Sequence, residues 1–328
     1  MKTFNKNLCA VLAAITLLIF SGVAFADNPP ACVRDAANKI TGAIWTDGGQ
    51  RECITEPATM KVKVNHMYMC YSKPRAPTTS VDSNQKNSAG TLGVCAQQLW
   101  PNPVSRATSE FSVVRGQSNS LVNAGGNFRG VVGKQNFTYF TVYLDPYFKM
   151  QGIQEFDYDV VDNEGNVGRF CWTLAAEVYA NRTPVSTNDT VKCGATLALA
   201  NAGVGELKTV FNSIGDTTGE HANFTIDGAT IDAYLIKSNG RLISSPSADV
   251  SNSVSEILAH VTLPAGTYME SCSNKQNGTL KVILQWKVSE AMEFKAANTL
   301  VGGRPQIYAV SPSEFYLMVV PVNGGTCH

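Results

Sequence analysis

The chain has 328 residues, with 26 basic and 26 acidic side chains, four histidines and 44% hydrophobic residues. That balance argues against a nucleic-acid binder or an anionic-membrane binder, both of which need a basic surface. Beyond residue 26 no apolar run approaches the ~20 residues a membrane-spanning helix needs.

Residues 1–26 read as a secretory signal. Lys2 and Lys6 supply the positive start, Leu8 to Phe25 is apolar, and Ala24-Phe25-Ala26 is a small-x-small cleavage site. The expected mature chain has 302 residues with 24 basic and 26 acidic side chains. Its expected destination is the bacterial cell surface or the extracellular space, alternatively the periplasm. Trp45 precedes the turn-rich Thr46-Asp47-Gly48-Gly49. Met60 to Cys70 alternates apolar with polar residues, as a half-buried strand does. Residues 73–91 (KPRAPTTSVDSNQKNSAGT) then form a loop with no hydrophobic pattern, long for a compact domain. Trp100 follows, just before Pro101-Asn102-Pro103.

Gly125 to Lys134 is glycine-rich but fails the P-loop spacing, because Phe128 and Gln135 stand where glycine and Ser/Thr are required. Phe137 to Leu144 has the aromatic and β-branched character of a strand. Phe156, Tyr158 and Val160 alternate with Asp157 and Asp159. The turn Asp162-Asn163-Glu164-Gly165-Asn166 connects that run to a strand over Arg169 to Tyr179. Residues 180–192 are polar and carry a proline, which suits a domain boundary. Leu207, Val210, Phe211 and Ile214 have helical spacing, so a short helix is expected over residues 204–215. Asn239-Gly240 between Ile231–Lys237 and Arg241–Ser244 is a hairpin signal. Ile257–Leu263, Leu280–Ser289 and Phe315–Val320 are further strands, while residues 289–300 fit helix and strand equally. Many short strands with turns between them predict an all-β protein of antiparallel sandwich or barrel domains with little helix. The expected division is an N-terminal β domain over 27–185, expected to hold the ligand site, and a C-terminal one over 186–328.

Removing Cys9 with the signal leaves eight cysteines, which implies disulfides formed in an oxidising compartment. Pairing of chain neighbours predicts Cys32–Cys53, Cys70–Cys95, Cys171–Cys193 and Cys272–Cys327. No Cys-x-x-Cys occurs and His66, His221, His260 and His328 lie far apart, so no metal and no cofactor are expected.

No nucleophile elbow is present, and the eight cysteines are committed to disulfides, so no catalytic residue is assigned. The acidic run Glu155, Asp157, Asp159, Asp162 and Glu164 is either a solvated strand face or a carboxylate pair for glycoside hydrolysis. The candidate ligand-binding residues are Trp45, Asp47 and Trp100, whose indole and carboxylate chemistry suits a sugar ring, with Arg75, Asp82 and Asn84 on the loop that a Cys70–Cys95 bond would pin. The expected function is that of an adhesin-like binding protein that is not an enzyme and recognises a host-surface or glycan ligand. One alternative is a structural or assembly subunit of a surface filament or secretion apparatus. The other is a secreted glycoside hydrolase using Asp157 and Asp159.

Overall fold

The computed structural model describes residues 15–19, 30–42, 52–70, 72–80, 95–100, 109–113, 118–121, 135–179, 189–212, 214, 219–226, 229–243, 254–265, 269–271, 281–287, 291–312 and 315–322. The described residues are almost all β, as the alternation predicts, with one short helix.

The strands are β1 (Ile15–Ile19), β2 (Glu52–Thr55), β3 (Thr59–Cys70), β4 (Cys95–Trp100), β5 (Ser109–Val113), β6 (Ser118–Leu121), β7 (Gln135–Phe137), β8 (Tyr139–Leu144), β9 (Tyr147–Gln151), β10 (Ile153–Val161) and β11 (Val167–Thr173). They continue as β12 (Ala176–Tyr179), β13 (Val191–Gly194), the helix α1 (Leu197–Gly203), β14 (Leu207–Val210), β15 (His221–Ile226), β16 (Ala229–Ile236), β17 (Glu256–Thr262), β18 (Met269–Ser271), β19 (Lys281–Lys287), β20 (Met292–Val301), β21 (Arg304–Pro312) and β22 (Phe315–Val322). The largest sheet runs β12-β14-β9-β3-β8-β17-β16-β15, with β4 and β5 also paired to β3. A second sheet runs β13-β11-β10-β21-β20-β2. A third runs β1-β22-β19-β6, and β18 pairs with β7. Residues 180–188, within the expected boundary, lie outside the described residues. The pairs β2–β20, β8–β17, β9–β14 and β10–β21 all join strands from opposite sides of it.

The β12-β14-β9 end of the first sheet packs against the second sheet. Phe156, Val160 and Cys171 from the second sheet, with Phe294 and Ile307, pack against Met150, Val178 and Leu207 from the first. Each such side chain withdrawn from water contributes about 1.5–3 kcal/mol. Phe156 meets Phe294 edge-on at 5.9 Å between ring centres, a favoured aromatic geometry.

Three of the predicted disulfides are present: Cys32–Cys53, Cys70–Cys95 and Cys171–Cys193, closing 21, 25 and 22 residues. They fit an oxidising, extracytoplasmic environment. Cys272 and Cys327 lie outside the described residues. The turn Asp162–Asn166 links β10 to β11 as predicted, with Gly165 at φ 85°, where a side chain would be strained. Asn239-Gly240 also turns the chain, but its second arm shrinks to one bridge, Ile236 to Leu242.

The helix expected over residues 204–215 is not formed. Residues 207–210 are β14, paired to β9 and β12, and the only helix among the described residues lies one turn earlier. Leu207, Val210, Phe211 and Ile214 are nevertheless all buried. The helical spacing arose because a four-residue strand followed by a bend can bury the same positions. Two free sheet neighbours on either side of β14 outweighed a weak local helical preference.

Candidate functional site

The site follows from strand register. Side chains on a strand alternate between faces, so residues paired across adjacent strands stand in rows. One row on the large sheet is Asn223 of β15, Asp232 of β16, His260 of β17, Thr141 of β8 and Tyr68 of β3. The next row is His221, Tyr234, Leu258, Tyr143 and His66 on the same strands. Two rows thus bring together one carboxylate, three imidazoles and three phenols.

Asp232 is the charged centre. Its side chain is 9% exposed. The Asn223 amide donates to Oδ1, His221 Nε2 lies 3.8 Å from the same oxygen, and the Lys73 ammonium lies 3.2 Å from Oδ2. These donors, His221 foremost, hold the carboxyl well below the usual carboxylate range despite its burial. The Tyr234 ring stacks on His221 at 4.6 Å between centres and tilts against His260 at 5.4 Å. Burial, reinforced by Asp232, pushes the Tyr234 hydroxyl up to about 12. His260 is 2% exposed, and burial pulls its imidazole down to about 4 against the attraction of Asp232. It is therefore a neutral ring at neutral pH. Further along the rows, Tyr68 and Tyr143 meet edge-on at 6.1 Å, and His66 meets Tyr143 in the same way at 5.9 Å.

Lys73 comes from a strap, residues 72–80, that leaves β3 just after the disulfide. Pro74 and Pro77 are buried while Lys73, Arg75 and Thr78 are exposed. The backbone amide of Leu242 donates to the Thr78 carbonyl at 3.1 Å. The Thr141 hydroxyl donates to Cys70 Sγ at 3.6 Å, joining the disulfide to the polar row. The strap is thus fastened at Cys70, at its buried prolines, at Lys73 and at Thr78.

The candidate binding residues read from the sequence divide accordingly. Arg75 lies exposed on the strap, two residues from Lys73. Trp100 ends β4, its backbone opposite Met67. Trp45, Asp47, Asp82 and Asn84 lie outside the described residues. Asp232, Tyr234, His221 and Lys73 are not marked as binding residues by the sequence. Their signal was faint: a carboxylate two residues from a tyrosine at the head of the apolar run Ile231–Lys237.

The acidic run takes its solvated form. Asp157 and Asp159 are exposed on the outer face of β10, where Arg169 Nε lies 3.5 Å from Asp159. Glu155 pairs with Lys39 at 2.8 Å. Asp162 is different: it is buried, and it accepts hydrogen bonds from the backbone amides of Glu164, Asn166 and Cys193 at 2.9–3.0 Å. That is a carboxylate used to build a turn. Among the described residues no group of three or more His, Cys, Asp or Glu is arranged to hold a metal ion, and no helix is long and apolar enough to cross a membrane.

No protein-family model matches the chain, and neither the curated proteins nor the solved structures contain a significant match to it.

Proposed function

We propose that the chain is an exported bacterial binding protein, secreted or displayed on the cell surface. In this reading it is adhesin-like and recognises a host-surface or glycan ligand without catalysis. The observation that supports this is the strap. A loop fastened to a disulfide-locked sheet carries Arg75 and Lys73 exposed to solvent, and Lys73 reaches Asp232 in the row of carboxylate, imidazole and phenol groups. Rigid sheets carrying pinned loops are a common way of holding a recognition surface, and polar groups beside aromatic faces suit sugar hydroxyls and rings. The test is a glycan array and a host-cell binding assay with protein purified after export, beside an Arg75→Ala variant. Binding that this substitution weakens supports the reading. A folded protein with no binding above background overturns it.

A second reading, as a filament or assembly subunit, draws on β1. Residues Ile15–Ile19 lie inside the expected signal, yet they form the outer partner of β22. Their removal would leave that edge able to accept a strand from another subunit. Co-purification with a surface filament favours this reading, and a monomer that never associates with one opposes it.

A further inference from the structure

Resting on the binding-protein reading, we infer that Asp232 anchors a subsite for a ligand's primary ammonium group, which Lys73 occupies intramolecularly. The chemistry is defined by the occupant already in place. The Asn223 amide donates to Oδ1, with His221 Nε2 3.8 Å from the same oxygen, while Oδ2 is turned toward Lys73. A carboxylate with 9% of its side chain exposed is stabilised by a cation close by. Lys73 is the cation in place, and with 61% of its side chain exposed it approaches from the solvent side. A free ammonium can reach the same oxygen by the same route.

The exchange does not require the strap to move. Pro74 and Pro77 remain buried, Thr78 keeps its hydrogen bond to Leu242, and Cys70 stays bonded to Cys95. Lys73 needs only to rotate into solvent. The His221 ring beside the carboxylate, 34% exposed and backed by the stacked Tyr234, then offers a face for the carbon skeleton that carries the amine. An amino sugar and a lysine-like alkylammonium share this chemistry. An N-acetylated sugar lacks the charge and is excluded.

An ion pair with one exposed partner closes with an equilibrium constant of about 1 to 5. Lys73 therefore competes with a ligand by about two- to six-fold, and its removal should tighten amine binding by that factor. The experiment follows the ring protons of His221 and His260 by NMR while glucosamine, N-acetylglucosamine or n-butylammonium is titrated into the exported wild-type, Lys73→Met and Lys73→Met/Asp232→Asn proteins. Lys73→Met should bind the amines about two- to six-fold more tightly than the wild type, the neutral sugar should not bind, and the double variant should lose amine binding. A preference for glucosamine over n-butylammonium identifies a sugar as the source, and the reverse identifies a lysine side chain. Amine binding unchanged by Lys73→Met, equal binding of the neutral sugar, or ring signals that do not move would overturn the inference. Should the double variant fail to fold, the Lys73→Met gain and the charge dependence decide the matter without it. A positive glycan array that Lys73→Met leaves untouched removes this subsite while leaving the binding function standing elsewhere.

Discussion

Two buried titratable groups pull the pH dependence of stability in opposite directions, and their balance can be worked from the structure. Burial pulls His260 from 6.5 down to about 4. The unfolded chain then takes up a proton before the native chain does, so the stability contributed by the neutral ring is complete above pH 6.5 and is lost as pH falls toward 4. At 1.36 kcal/mol for each pH unit the loss reaches about 3 kcal/mol. Glu293 of β20 is 4% exposed. Burial pushes its carboxyl up from 4.5 to about 7; Lys295, 3.3 Å away, opposes the rise and Glu52 adds to it. Here the sign is reversed: the contribution is complete below pH 4.5 and is lost as pH rises through 7, again by about 3 kcal/mol. Between pH 4.5 and 6.5 the two nearly cancel, and these two groups together leave the wild-type profile almost flat. His260→Gln should remove the acid-side loss, so that this variant gains stability on acidification across that window. Glu293→Gln should do the opposite and become acid-labile, and the double variant should be flat again. Urea unfolding at pH 4.5, 5.5, 6.5 and 7.5 measures all four proteins. If both single variants are as flat as the wild type, neither group is perturbed in the way burial requires, and the reasoning fails.

Other residues make sharper single tests. Asp162→Ala strips three backbone amides of their acceptor in a buried turn, and thermal unfolding should report a loss of about 3 kcal/mol or more. The exposed pair behaves otherwise: Asp157→Asn with Asp159→Asn should change stability by less than about 0.5 kcal/mol, and turnover of a polysaccharide abolished by that change would support the hydrolase alternative. A methyl group added at Gly168 would sit 1.9 Å from the Gly194 backbone carbonyl carbon, forcing β11 and β13 apart, so Gly168→Ala should cost about 3 kcal/mol in chemical denaturation. Replacing Cys70 and Cys95 together by serine opens a 25-residue loop and should lower stability by about 3 kcal/mol, with faster proteolysis across the strap.

The strands were legible because a half-buried strand writes its two-residue period into the sequence. Met60 to Cys70 and Phe156 to Val160 show it plainly, and the Asp162 turn shows its glycine. Neighbour pairing of cysteines succeeded at 32–53, 70–95 and 171–193 because each short loop returns the chain beside the segment it left: Cys32 next to β2, Cys95 opposite Cys70 and Cys193 opposite Cys171. The segment after Gly203 misled for a specific reason. Four buried residues at helical spacing also describe a strand followed by a bend, and only the open edges of β9 and β12 decide between them. The run over 289–300 was undecidable locally and became β20 because β2 and β21 flank it.

The candidate site was less legible because register is a long-range property. Nothing near Asp232 in the chain announces His260, which lies opposite it across β17, or Lys73, which comes from a strap more than 150 residues earlier. Each residue taken alone has an ordinary local explanation: a histidine in a strand, a lysine in a loop, an aspartate at the head of an apolar run. What distinguishes them is shared position on one face. An apolar residue at position 232 would bury at less cost than a carboxylate there, since an ion withdrawn from water must be repaid by hydrogen bonds and an opposite charge. The fold supplies both, through Asn223, His221 and Lys73, and it draws Lys73 from a solvent-exposed side chain rather than from the sheet. A structural ion pair is cheaper to build from two neighbouring strands, as Lys149 and Glu206 do on β9 and just before β14. On the proposed reading, a cation recruited from an exposed strap leaves the pair exchangeable, which a recognition site needs and a core does not.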